Sequence, residues 1–201
     1  HKTNYIVDIG YLVEEVEKIA KFKGDGVIIF LDSVGEPMSH PNFADLVKKL
    51  KEIKEVKEII TITNGTYLTK EKIDLLKEAG LTRINLSLHS LNPELSKKLF
   101  GMNSYDLQKI KEMIYYTKEK NLDLMVTPVY LPGINDNDIE EIIKFVKEVN
   151  CKIGLQKYEI YKYSRKIKGA KKQTNFLIDL IYPTTLGSLE LTKIYKDYRF
   201  V

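Results

Sequence analysis

Apolar residues recur at helical spacing over residues 11–23, where Leu12, Val16, Ile19 and Ala20 share one face and Gly24 stands where the helix would stop. Residues 27–31 are apolar without interruption and predict a strand. A run with no polar position predicts a parallel sheet covered on both faces. Phe43, Leu46, Val47, Leu50 and Ile53 mark a second helix after Pro41, and residues 58–62 a second strand closing on Thr63-Asn64-Gly65. Thr69 is placed to cap a third helix, with Leu68 and Ile73 at staple positions and Gly80 at its end. Residues 83–88 read as strand, breaking at His89-Ser90. Asn92-Pro93 is a cap and first-turn pair for a short helix. A further helix, capped near Ser104, carries Leu107, Ile110, Ile114 and Thr117 inward. Residues 122–126 are strand, Ile139, Ile142, Ile143, Val146 and Val149 line another helix, and residues 153–158 form the last clear strand.

The order is one helix, then strand and helix in alternation, which predicts an α/β fold with a parallel sheet. Beginning on a helix leaves that helix without the strand that should precede it, so a first strand and its loop are expected upstream of His1. After Tyr158 the periodicity decays. The remainder contains strand-like pieces such as residues 188–191, and the expected division is a barrel-like domain over residues 1–172 and an extension over 173–201.

Composition narrows the class. The chain has 201 residues, 43% hydrophobic and 30% charged, enough to bury a sizeable core. No apolar run is long enough to cross a bilayer, so a membrane is not an expected partner and the cytoplasm is the expected compartment. The net charge of +4 permits a polyanionic partner without requiring one. The segment 161–172 interleaves tyrosines with lysines, and Lys162, Arg165, Lys166, Lys168, Lys171 and Lys172 are the residues that would contact RNA phosphates. A single cysteine, Cys151, excludes an internal disulfide and any multi-cysteine metal site made from these residues alone. No metal ligand and no catalytic acid or base is nominated.

Each predicted strand ends in a polar or glycine-containing loop, and parallel strands would bring these loops to one rim, where rigid strands hold side chains and loops vary. Taken in order, Gly35-Glu36-Pro37, Thr63-Asn64-Gly65, Ser87-Leu88-His89-Ser90 and Leu131-Pro132-Gly133-Ile134-Asn135-Asp136 resemble the loops of the radical SAM (S-adenosylmethionine) core, over about residues 5–172. Gly154-Leu155-Gln156-Lys157-Tyr158 and the basic run after it resemble an archaeal Fe–S oxidoreductase branch whose members add a carboxyl-terminal TRAM-type RNA-binding barrel.

The resemblance implies a partial (βα)6 TIM-type barrel of parallel strands, and an enzyme that uses a [4Fe–4S] cluster and an external electron donor to cleave S-adenosylmethionine. The radical so formed would abstract hydrogen from a substrate, for which RNA is a candidate. By the same resemblance Gly35, Glu36 and Pro37 would grip the methionine amino group through backbone oxygens, Glu36 structuring the turn. Asn64 and Ser87, with His89 beside them, would serve the methionine carboxylate and ribose, and Val129, Gly133 and Gln156 would flank the adenine and the substrate mouth. The family's Cys-x3-Cys-x2-Cys loop is absent, and its place falls in the segment expected upstream of His1. The alternative is a cluster-free barrel that binds RNA or a nucleotide without catalysis.

Overall fold

The computed structural model describes residues 6–33, 35–158 and 169. They form helices α1 (Ile9–Lys23), α2 (Phe43–Lys51), α3 (Lys70–Glu78), α4 (Pro93–Phe100), α5 (Leu107–Glu119) and α6 (Asp136–Val149). The strands are β1 (Val27–Leu31), β2 (Val56–Thr63), β3 (Arg83–Leu86), β4 (Asp123–Val126), β5 (Val129–Tyr130), β6 (Lys152–Ile153) and β7 (Gln156–Lys157), with a 3-10 turn at Pro37–Ser39. Two compact units result, one running to Leu86 with Ile110–Leu124 added, the other comprising Ser87–Lys109 and the residues from Met125 onward. The expected α/β alternation with parallel strands is the fold observed.

In the first unit β1, β2 and β3 are parallel neighbours in that order, and β4 enters beside β3. α2 buries Phe43, Leu46, Val47 and Leu50, the i, i+3, i+4, i+7 stripe of an amphipathic helix, and α3 buries Ile73 and Leu76. Strand residues Ile59, Ile60, Ile84 and Leu86 are fully enclosed. In the second unit the end of β4 pairs in parallel with β6, and β5 with β7. α6 supplies that unit's largest apolar stripe, Ile139, Ile142, Ile143, Val146 and Val149.

Capping residues act largely as their chemistry dictates. The Thr69 hydroxyl accepts from the Lys72 N–H, and Asn92 accepts from the N–H groups of Glu94 and Leu95. α1 starts two residues earlier than its apolar pattern, because the Asp8 carboxylate accepts from the Tyr11 N–H and caps it there. α5 is capped by Asp106, two residues after Ser104: the Asp106 carboxylate accepts from the Lys109 N–H at 3.1 Å.

Three strand expectations need correction. β3 ends at Leu86, not residue 88, because its ladder with β2 stops at the Thr63–Leu86 pair. The strand expected over 153–158 is two short strands with different partners. Gly154 N–H donates to the Val126 carbonyl and Gln156 N–H to the Pro128 carbonyl, and Pro128 has no N–H to continue the ladder between them. Nor is β1 covered on both faces among the described residues. Ile28 and Phe30 are 46% and 54% exposed, and β1 pairs along one edge only, with β2. A groove of about 540 Å³, lined by Val16 and Ile19 of α1 and by Val27 and Ile29, lies beside it. The RNA-contacting positions Lys162, Arg165, Lys166, Lys168, Lys171 and Lys172, and the extension 173–201, lie outside the described residues.

Candidate functional site

In the first unit the loops after β1 and β2 are tied together by one carboxylate. Glu36 Oε1 accepts from the Thr63 hydroxyl at 2.6 Å and from the Met38 N–H at 3.2 Å, and Oε2 accepts from the Asn64 N–H at 2.9 Å. Thr63 Oγ1 in turn accepts from the Gly65 N–H at 3.0 Å. The Asn64 side chain closes the next turn, its Oδ1 accepting from the Thr66 N–H at 2.9 Å and the Thr66 hydroxyl at 2.6 Å. Gly65 adopts φ +80°, and a Cβ there would lie 2.7 Å from Leu86 Cδ1 and 2.8 Å from Ile110 Cδ1. Glycine is therefore required twice over, by backbone conformation and by space.

The Gly35-Glu36-Pro37 turn folds its own polar groups inward. The Glu36 carbonyl accepts from both the N–H and the hydroxyl of Ser39, and Pro37 opens the 3-10 turn at the position where a missing N–H costs nothing. Among the described residues the Gly35 carbonyl and the Asn64 amide nitrogen have no partner within the chain. An acceptor and a donor therefore stand unused beside a fixed turn. A Cβ at Gly35 would meet open space. The amino and carboxylate groups of an amino acid need such an acceptor and donor, and to this extent the residues fit the methionine end of S-adenosylmethionine.

In the second unit His89 is held from two sides. Its Nδ1 accepts from the Val129 N–H at 3.1 Å, which leaves the ring proton on Nε2, and its ring stacks on Phe100 at 4.8 Å between centroids. Phe100 stacks in turn on Tyr105 at 4.3 Å. Desolvation lowers the imidazole to about 4, so the ring is neutral at physiological pH. Asn135, fully buried, bridges the same two loops: its amide donates to the carbonyls of His89 and Val129 at 2.8 and 2.9 Å, and its oxygen accepts from the Leu131 N–H at 2.7 Å. Ser90 reaches Asp138 and Ser96 donates to the Ser90 carbonyl at 2.9 Å, completing the support. Gly133, at φ +79°, donates its N–H to the Asp136 carboxylate, which also accepts from the Tyr130 hydroxyl at 2.8 Å. Burial, with Asp136 beside it, pushes the Tyr130 phenol up to about 12.

Of the nominated residues, Glu36 and Asn64 are directly joined, with Gly35 and Pro37 in the same turn. His89 and Val129 are directly joined, and Gly133 lies in the Leu131–Asn135 loop they share. Ser87 is half-buried after β3, and Gln156 is exposed at the start of β7. Asn135 has no role in the sequence reading. Asn135 carried a signal, since Gly133-Ile134-Asn135-Asp136 was singled out as a motif. Among the described residues no cluster of His, Cys, Asp and Glu could hold a metal ion.

The family model described as Radical SAM superfamily matches residues 1–146. An uncharacterized protein of Methanocaldococcus jannaschii is 37% identical over 154 residues, covering 75% of this chain and 36% of the relative. The GTP 3',8-cyclase of Aquifex aeolicus is 34% identical over 146 residues, covering 72% of this chain and 45% of the enzyme. The chain thus spans less than half the length of these relatives. In structure it resembles Streptococcus suis SuiB bound to S-adenosylmethionine, with a TM-score of 0.73 at 16% identity, covering 100% of this chain and 44% of SuiB. With the family match extending over the turns just described, this chain belongs to the radical SAM superfamily.

Proposed function

We propose that this chain is the S-adenosylmethionine-binding part of a radical SAM enzyme, and that the loops after β1 and β2 take the methionine end of the cofactor. The observation that supports this reading above all is the Glu36 carboxylate bound to Thr63, Asn64 and Met38. It fixes a turn whose Gly35 carbonyl is free to accept from the ammonium group, next to an Asn64 amide free to donate to the carboxylate. For the second unit, taken by itself, the resemblance nominates Ser87 and the Nε2–H of His89 as hydrogen-bonding groups for hydroxyls, and Val129, Gly133 and Gln156 as further ligand-contacting positions.

The [4Fe–4S] cluster that the family implies does not fit the residues present. It needs three thiolates, and the one cysteine, Cys151, follows α6 in the second unit. In this reading its ligands are supplied from outside this sequence, and radical catalysis belongs to the whole protein. The relatives named GTP 3',8-cyclase make a purine nucleoside triphosphate the first substrate class to try.

Equilibrium dialysis of the full chain against S-adenosylmethionine tests the proposal. Saturable binding is expected, weakened about tenfold in Asn64→Ala by loss of one hydrogen bond to a charged group. Absence of saturable binding by the wild-type chain would refute it.

A further inference from the structure

Lys72 sits in the first turn of α3, where its own N–H is used by the Thr69 cap. Helical side chains lean toward the helix N-terminus, and this one runs back over the Tyr67 ring, with the ammonium 5.6 Å from the ring centroid. Its Nζ donates to the Met38 carbonyl at 2.7 Å, across 34 residues of sequence. That carbonyl lies at the end of the 3-10 turn, where the backbone leaves acceptors without partners. Burial lowers the Lys72 ammonium below the usual lysine range, opposed by the charge of Glu36.

Met38 is consequently gripped at both ends of its backbone by opposite charges. The Glu36 carboxylate takes its N–H and the Lys72 ammonium takes its C=O, while its side chain is wholly buried. Each charge meets the end of the residue whose partial charge is opposite to its own. The pair fixes the path of residues 36–38, and with it the direction of the Gly35 carbonyl.

We propose that Lys72 is a positioning residue for the cofactor, acting through Met38 to hold the Gly35-Glu36-Pro37 turn in its ligand-ready form. This rests on the reading of that turn as the S-adenosylmethionine site. A competing effect has the opposite sign. S-adenosylmethionine carries a sulfonium and an ammonium against one carboxylate, so removing a lysine charge nearby would by itself strengthen binding.

The test compares the wild-type full chain with Lys72→Met, which keeps the apolar stem, and Lys72→Arg, which keeps the donor. Two readouts are used: S-adenosylmethionine affinity, and amide hydrogen exchange at Met38, Ser39 and His40 without ligand. The expected result is an affinity about tenfold weaker in Lys72→Met, exchange at those amides faster by about the same factor, and recovery of most of both in Lys72→Arg. Equal or tighter binding by Lys72→Met, with a wild type that binds, overturns the positioning role alone. Unchanged exchange in Lys72→Met overturns it whatever the affinity. A wild type that binds no S-adenosylmethionine, with exchange nonetheless accelerated in Lys72→Met, overturns the cofactor assignment, and the role with it, while leaving the Met38 contact standing.

Discussion

Replacing Glu36 with glutamine probes the junction of the β1 and β2 loops with almost no change of shape. The carboxylate accepts three hydrogens on two oxygens, from Thr63, Met38 and the Asn64 N–H. Glutamine offers one oxygen. If it keeps Thr63 and Met38, its amide nitrogen faces the Asn64 N–H at about the present 2.9 Å, donor against donor. One hydrogen bond to a charged acceptor, worth about 1.5–3 kcal/mol, is then lost, and two others become neutral and weaker. Because the group is half-buried, the combined loss is about 3 kcal/mol, from a total stability of about 5–15 kcal/mol. The variant should therefore fold, with a melting temperature lower by about 6–12 °C for a domain of this size. Thermal unfolding followed by circular dichroism reads this directly, and S-adenosylmethionine affinity should fall with it, because the displaced Asn64 backbone carries the amide assigned to the carboxylate. A melting temperature within about 2 °C of wild type would show that Glu36 does not hold the two loops together and would refute the reasoning.

Gly65→Ala should destabilise the chain by about 2–4 kcal/mol, since it combines a left-handed backbone with contacts of 2.7 and 2.8 Å to buried methyl groups; urea unfolding measures it. Asn135→Ala removes three hydrogen bonds from a fully buried amide, and should cost about 3–5 kcal/mol and speed amide exchange at Leu131 more than at β1. His89 binds its proton more weakly folded, at about 4, than unfolded, at 6.5. The unfolded chain therefore holds more protons between those values. Stability should be full above 6.5, fall by about 3 kcal/mol as the pH drops toward 4 and level off below it. Urea unfolding at several pH values should show this slope, and His89→Gln should remove it.

The elements were legible because their signals are local. Caps placed the starts of α3 and α4 to the residue, since Thr69 and Asn92 satisfy the orphan N–H groups of the turns they precede, whereas α2 stops at Lys51, short of the Ile53 its pattern included. The failures came where a distant partner decides. Whether residues 153–158 are one strand or two depends on Pro128, some 25 residues earlier, and the exposure of Ile28 and Phe30 depends on what covers the face of β1 they share. The site followed the same rule. The loop motifs were visible as tripeptides, yet the contacts that organise them join residues 27 and 28 apart for Glu36 and 46 apart for Asn135. Lys72 could not be found from sequence at all, because nothing near it distinguishes its ammonium from those of the other lysines.

The acid of Gly35-Glu36-Pro37 changes meaning once its contacts are known. A conspicuous carboxylate beside a glycine and a proline invites reading as the group that meets a cationic ligand. Here both of its oxygens and its carbonyl are committed to the protein, by Thr63, Met38, Asn64 and Ser39. A group so saturated acts through what it positions. Among the described residues, what the turn leaves unused is the carbonyl of Gly35, an acceptor without charge. A neutral carbonyl accepts an ammonium group without the desolvation that burying a bare carboxylate against it would require. In the proposed reading, selectivity for an amino acid would come from the direction of that carbonyl relative to the Asn64 amide, the property that Glu36 and Lys72, holding opposite ends of Met38, would jointly set.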